Sequence, residues 1–103
     1  MNIVIFITAA NIKEAERIAS ALVKEKLAAC VNIVEGIKSL FWWQGKVDRS
    51  KEVLLMVKSR KSKISKIIRR VKSLHSYEVP EIIALPIVAG EPNYLKWLNE
   101  SIR

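Results

Sequence analysis

"CVNIVEGIKSLFWWQGKVDRSKEVLLMVKS", residues 30–59, holds two extended runs in immediate succession, and what flanks them sets the architecture. Cys30–Val34 is short, apolar and β-branched, which predicts a strand. Gly36 interrupts it and reads as a bulge or bend. Extended character then resumes through Val47. "DRSK" (Asp48–Lys51) reads as the hairpin connection. "EVLLMVKS" (Glu52–Ser59) is apolar without clean alternation, which predicts a central strand covered on both faces.

Outward from this pair, the pattern changes period. Upstream, Ile3–Thr8 is a short buried strand, and Asn11 stands three residues before Glu14 as a capping-box-like pair. Ala15, Ile18, Ala19, Leu22 and Val23 then recur at helical spacing, which predicts a helix over 12–27. Downstream, Ser59 or Ser62 is the expected cap of a second helix. Its apolar stripe is Ile64, Ile67, Ile68, Val71 and Leu74, and it ends near His75. Pro80 holds Val79 extended, and "EIIALPIV" (81–88) is the fourth strand. Gly90 and Pro92 punctuate a turn, after which Asn93 is expected to cap a last helix carrying Leu95, Leu98 and Ile102 on one face.

Strand, helix, strand, strand, helix, strand and a terminal helix describe an α+β chain. Its fold is a ferredoxin-like βαββαβ sandwich with an additional C-terminal helix, read as one domain over residues 1–103. Helices on one face of such a sheet leave the other face open, yet the strands are apolar at nearly every position. In a chain of this length the expected cover is another subunit.

Composition narrows the function classes. Half of the 103 residues are hydrophobic, ample for a core. No run of about 18 apolar residues exists, so no membrane partner or span is expected. "MNIVIFITAANIKEAE" lacks a basic n-region and reads as strand then helix, not as a leader. Cys30 is the single cysteine, which excludes an internal disulfide and fits a cytoplasmic location. Charged positions are almost all Lys, Arg and Glu, with one Asp, and the chain has a single Gln, a bias shared with thermostable proteins. The formal net charge of +8 is concentrated from Lys58 to Lys72, where eight basic residues stand with no acid. Such a block suits a polyanion or nucleic acid, although a solvated helix face is the plainer reading.

Ligand-type side chains concentrate at "HSYE" (His75–Glu78). His75 is the only imidazole, and Glu78 and Glu81 flank Val79-Pro80. Tyr77 offers a phenolic hydrogen bond or a packing surface with a wet tip. Trp42 and Trp43 are adjacent, so on a strand they face opposite ways, one inward and one toward a neighbouring subunit. Gly45-Lys46 lacks the spacing of a phosphate loop. No serine or cysteine nucleophile can be paired with a histidine by spacing, and the chain is read as non-enzymatic.

The markers "LAACVNI" (27–33), "SLFWWQGKV" (39–47), "EVLLMVKS" (52–59), "HSYEVPEI" (75–82) and "YLKWL" (94–98), in this order, resemble the CutA divalent-cation tolerance proteins over essentially the whole chain. The resemblance implies a ferredoxin-like protomer in a tight homotrimer, with strands pairing across subunits. It implies association with copper or other divalent cations and no established reaction; the expected function is to bind such ions, or a small ligand, at clefts between subunits in the response to metal ions, with no obligatory cofactor. Carried onto this sequence, it points to His75 as the nitrogen ligand. By donor chemistry, Glu78 or a carboxylate of a neighbouring chain would help as the oxygen donor for copper(II), and Cys30 would serve copper(I) as thiolate, although a small buried structural residue is the plainer reading of Cys30. Trp42, Trp43, Lys46, Tyr77 and Glu81 would lie at the inter-subunit cleft or trimer contacts. Ser76 replaces the proline usual in the family's histidine stretch. Ile7 and Leu74 stand where copper-linked members carry further donors.

Overall fold

The computed structural model describes residues 1–102. Four strands, β1 (Asn2–Ala9), β2 (Cys30–Trp43), β3 (Lys46–Arg60) and β4 (Ile82–Pro86), form one sheet in the order β2-β3-β1-β4. Helix α1 (Ile12–Lys24) follows β1, α2 (Ile64–Leu74) follows β3, and α3 (Pro92–Ser101) closes the chain. Every pairing is antiparallel. This is the split βαβ arrangement expected from the sequence, with the two central strands supplied by β3 and β1.

The core forms where the two periodicities meet. Along β1 and β3, Ile3, Ile5, Ile7, Val53, Leu55 and Val57 point to one face and are buried there. Ala15, Ile18, Ala19 and Leu22 of α1, with Ile67 and Val71 of α2, close over them. The opposite sheet face is only partly covered. Val4, Phe6, Leu54 and Met56 are half-buried, while Ile83 and Leu85 of β4 are exposed. Within the protomer, β3 is therefore central in the sheet but fully covered on one face only. Helix α3 contacts β3. Its Leu98, and Ile102 just beyond it, are buried outside the main core cluster. An Arg60 guanidinium N–H donates to the Ile102 carbonyl at 3.3 Å.

The hairpin connection is not at Asp48–Lys51. The chain reverses at Gln44-Gly45, whose φ angles of 51° and 78° are both positive. Such a two-residue turn matches the twist of the flanking strands, and Gly45 takes its angle without a Cβ penalty. Asp48–Lys51 belong to β3 and remain largely solvent-facing, which is why their polar character looked like a loop. Gly36, with φ 79°, does mark a break in register, between Val34 and Ile37.

Three ends also differ from expectation. Helix α1 stops at Lys24, because Lys26 turns left-handed (φ 58°) and the N–H groups of Leu27 and Ala28 return to the Leu22 carbonyl. Ser59 does not cap α2. It is a buried strand residue whose hydroxyl donates to the Leu27 carbonyl at 2.6 Å, and a 3-10 turn over Lys61–Lys63 leads into the helix without a side-chain cap. At α3 the cap is Glu91, whose carboxylate accepts from the Tyr94 N–H at 2.8 Å, with Pro92 as first helical residue.

Strand β1 pairs with β3 only from Val53 to Arg60. Lys46–Glu52 pair with β2 alone, over Ile37–Trp43. This two-stranded arm projects from the sheet and gives the molecule extents of 44 × 25 × 23 Å. Cross-strand partners share a face, so Leu40, Trp42 and Val47 lie on one side and Phe41 and Trp43 on the other. All five are exposed, Trp42 at 76%.

Candidate functional site: a buried polar network at the base of the arm

The network begins with the cap of α1. Asn11 Oδ1 accepts from the Glu14 N–H at 2.9 Å, and Glu14 reaches back to accept from the Ala10 N–H at 3.2 Å. The same carboxylate, 2% exposed, accepts from the Ser76 N–H at 2.6 Å and the Ser76 hydroxyl at 2.9 Å. The start of α1 is thereby tied to the segment leaving α2.

His75 ends α2, where its N–H donates to the Val71 carbonyl. Its side chain is fully buried. Nε2 lies 2.7 Å from the Thr8 carbonyl oxygen, which only accepts, so Nε2 carries the hydrogen. Nδ1 accepts the Tyr77 N–H at 3.0 Å. The neutral Nε2–H tautomer satisfies both contacts. Glu14 Oε1 is also 3.1 Å from Nδ1, so protonation there would exchange the Tyr77 contact for an ion pair. The His75 and Tyr77 rings pack at 4.7 Å and 47°. The Tyr77 hydroxyl then donates to Glu52 Oε2 at 2.9 Å. Glu52 is the last residue of the arm before β1 pairing starts, so the network runs from the helix layer to the arm's base.

Electrostatics follow from this geometry. Burial, the largest single influence on Glu14, pushes its pKa up. The Ser76 N–H and hydroxyl, then His75 and the Ala10 N–H, outweigh it and leave the carboxyl below its ordinary 4.5. Tyr77 is pushed up to about 12 by burial first, then by the hydrogen bond and charge of Glu52. Burial and the neighbouring Cys30 also raise Tyr94.

The expected site residues are only partly brought together. His75 and Tyr77 are in contact, but their carboxylate partners are Glu14 and Glu52, whereas Glu78 and Glu81 are exposed. The imidazole is an interior group. Cys30 is half-buried opposite Lys58, six residues along β3 from Glu52, or about 20 Å at the usual strand rise. Trp42 and Trp43 do take opposite faces, yet neither packs inward among the described residues of the protomer, where both are exposed. Lys46 is exposed beside Trp43 in the pairing. Among the described residues, no three His, Cys, Asp or Glu side chains are grouped to hold a metal ion. Sequence reasoning did not single out Glu14, Glu52, Ser76 or the Thr8 carbonyl as site groups. The one signal for them was the Asn11/Glu14 box: a carboxylate in a capping box is a ready acceptor for a second chain segment.

Comparison with known proteins places this architecture. The family profile described as "CutA1 divalent ion tolerance protein" matches residues 3–101. The solved structure of the divalent cation tolerance protein (Cut A1) from Thermus thermophilus superposes with a TM-score of 0.98 at 50% identity, over the full length of both chains. That of the periplasmic divalent cation tolerance protein CutA from Archaeoglobus fulgidus gives 0.97 at 46% identity, again over both full lengths. The chloroplastic protein CutA 1 of Oryza sativa is 48% identical over 102 residues, 99% of this chain. The chain spans 58% of the length of that rice relative.

Proposed function

The chain belongs to the CutA1 divalent ion tolerance protein family, and we propose that it works as a homotrimer binding divalent cations, copper included, between its subunits, without catalysing a reaction. The observation that carries the assembly is the arm. A two-stranded ribbon is marginal in water by itself, and this one exposes Leu40, Phe41, Trp42, Trp43 and Val47 on its two faces. Burying such side chains against copies of the same chain is the economical solution, and the exposed Ile83 and Leu85 of β4 extend the apolar surface. Lys46 and Glu81 would then border the contact.

For the cation, one protomer has no group of three His, Cys, Asp or Glu side chains among its described residues, and donors from more than one subunit would complete the site. Glu78, exposed beside the network, is the proposed oxygen donor. His75 is the only nitrogen donor of its kind, and it joins the ligand set by giving up the Tyr77 N–H at Nδ1. Cys30, which pairs opposite Lys58 on β3, would serve copper(I) separately. The single thiol and the Lys/Glu-rich composition support a cytoplasmic, heat-resistant protein. Among the described residues, no helix is long and apolar enough to cross a membrane.

Calorimetric titration of copper(II) into the wild type, Glu78→Gln and His75→Ala tests the cation reading, with the mass of each variant measured alongside. Affinity is expected to fall about tenfold or more in each variant. Unchanged copper binding in both variants, still assembled as the wild type, would overturn the site.

A further inference from the structure

A second feature lies in the helix layer, away from the arm and the network. The end of α1, the loop after it and the outer face of α2 border a groove of about 420 Å³, lined by Glu25, Leu27, Lys66, Arg69, Arg70 and Ser73. One wall is fixed. Arg70 donates from Nε and Nη2 to the Glu25 carboxylate at 2.9–3.1 Å, and from Nη1 to the Ser73 hydroxyl at 3.3 Å. Glu25 thus neutralises Arg70. Lys66 and Arg69 are exposed and have no acid partner among the described residues. They belong to the acid-free block from Lys58 to Lys72, so the groove keeps an uncompensated positive charge. Leu27 and the aliphatic stems of the basic side chains give it an apolar floor.

We propose that this groove docks an acidic peptide segment of a partner protein, with carboxylates on Lys66 and Arg69 and an apolar side chain against Leu27. Charge complementarity selects the sign of the partner. The Glu25–Arg70 fork shows that the groove already seats a carboxylate in bidentate geometry. A peptide fits better than a nucleic acid because no aromatic side chain lines the groove for base stacking. None of the lining residues belongs to the sheet or the arm, so the groove does not depend on the proposed assembly.

Fluorescence anisotropy with a labelled peptide of repeated Glu-Glu-Leu tests this, beside a Lys-Lys-Leu peptide and a labelled oligothymidylate of similar length. The comparison is between the wild type, the double variant Lys66→Glu/Arg69→Glu, and Lys13→Glu/Arg17→Glu. The last makes the same change in net charge at exposed positions of α1 outside the groove. The acidic peptide is expected to bind the wild type, to lose about tenfold or more in affinity to the groove variant, and to lose less than about twofold to the control. Loss of equal size in both variants would overturn the proposal. So would no binding by the wild type, or oligothymidylate bound as tightly as the acidic peptide.

Discussion

Over Leu54–Lys58, β3 has β2 on one side and β1 on the other, with α1 and α2 laid across one face. Over Lys46–Glu52 the same strand has β2 alone. The consequence is visible in like residues: Leu55 and Val57 are wholly buried, whereas Val47 is 57% exposed. The arm's other large apolar side chains, Leu40, Phe41, Trp42 and Trp43, come from β2 and are exposed like Val47, whereas only the covered half has the layers to make a core. The covered half is stable through its own contacts. The arm carries five large exposed side chains whose full burial would each contribute about 1.5–3 kcal/mol, and that gain is realised only against another chain. The Tyr77–Glu52 hydrogen bond sits at the boundary between these regions.

Substitutions in the two regions should separate cleanly. Leu55→Ala is expected to cost about 3–4 kcal/mol in chemical denaturation, through lost burial and the cavity left behind. Val47→Ala, with its side chain largely in water, should cost well under about 1 kcal/mol of protomer stability and act on self-association instead. Equal effects from both would remove the distinction.

The network at the boundary should give an intermediate effect. Glu14→Ala strips the acceptor from the Ala10 and Ser76 N–H groups and from the Ser76 hydroxyl, for about 2–3 kcal/mol. Because the folded pKa of Glu14 lies below its ordinary 4.5, its contribution is complete above that value and is lost as pH falls through the folded pKa. Stability measured against pH should therefore fall less steeply on the acid side in Glu14→Gln than in the wild type. Parallel acid limbs would mean that Glu14 does not titrate as the geometry requires.

The smallest effect is expected at the arm's tip. Gly45→Ala forces a Cβ into a left-handed angle of φ 78° with open space around it. The cost is backbone strain alone, about 1 kcal/mol. A larger loss of thermal stability would show that the turn is packed against something in solution.

The sequence made the covered half legible and the arm only partly so. Helical and strand periodicities converge on Ile5, Leu22, Leu55 and Val71, so element order, core and sheet architecture could be read directly. The hairpin turn was misplaced because Asp48–Lys51 are polar for want of a covering layer, not for want of a strand. The backbone signal lay instead in Gln44-Gly45. The functional residues divided in the same way. His75 and Tyr77 stood out as rare side chains in one short stretch. Their partners Glu14 and Glu52 come from 61 and 23 residues upstream of His75, and only the packing of α1 and β3 against the end of α2 brings them together. Proximity in sequence favoured Glu78 and Glu81, which the fold leaves in solvent.

Everything proposed for the arm depends on its being covered by copies of its own chain. Light scattering coupled to size-exclusion chromatography at micromolar concentration measures this directly, on the wild type and on Trp42→Ser/Trp43→Ser. Three copies of the 11.7 kDa chain correspond to about 35 kDa. That mass is expected for the wild type, and a shift toward 11.7 kDa in the double variant with its helical circular dichroism retained. A monodisperse wild type at 11.7 kDa, with both tryptophans in water, would contradict it.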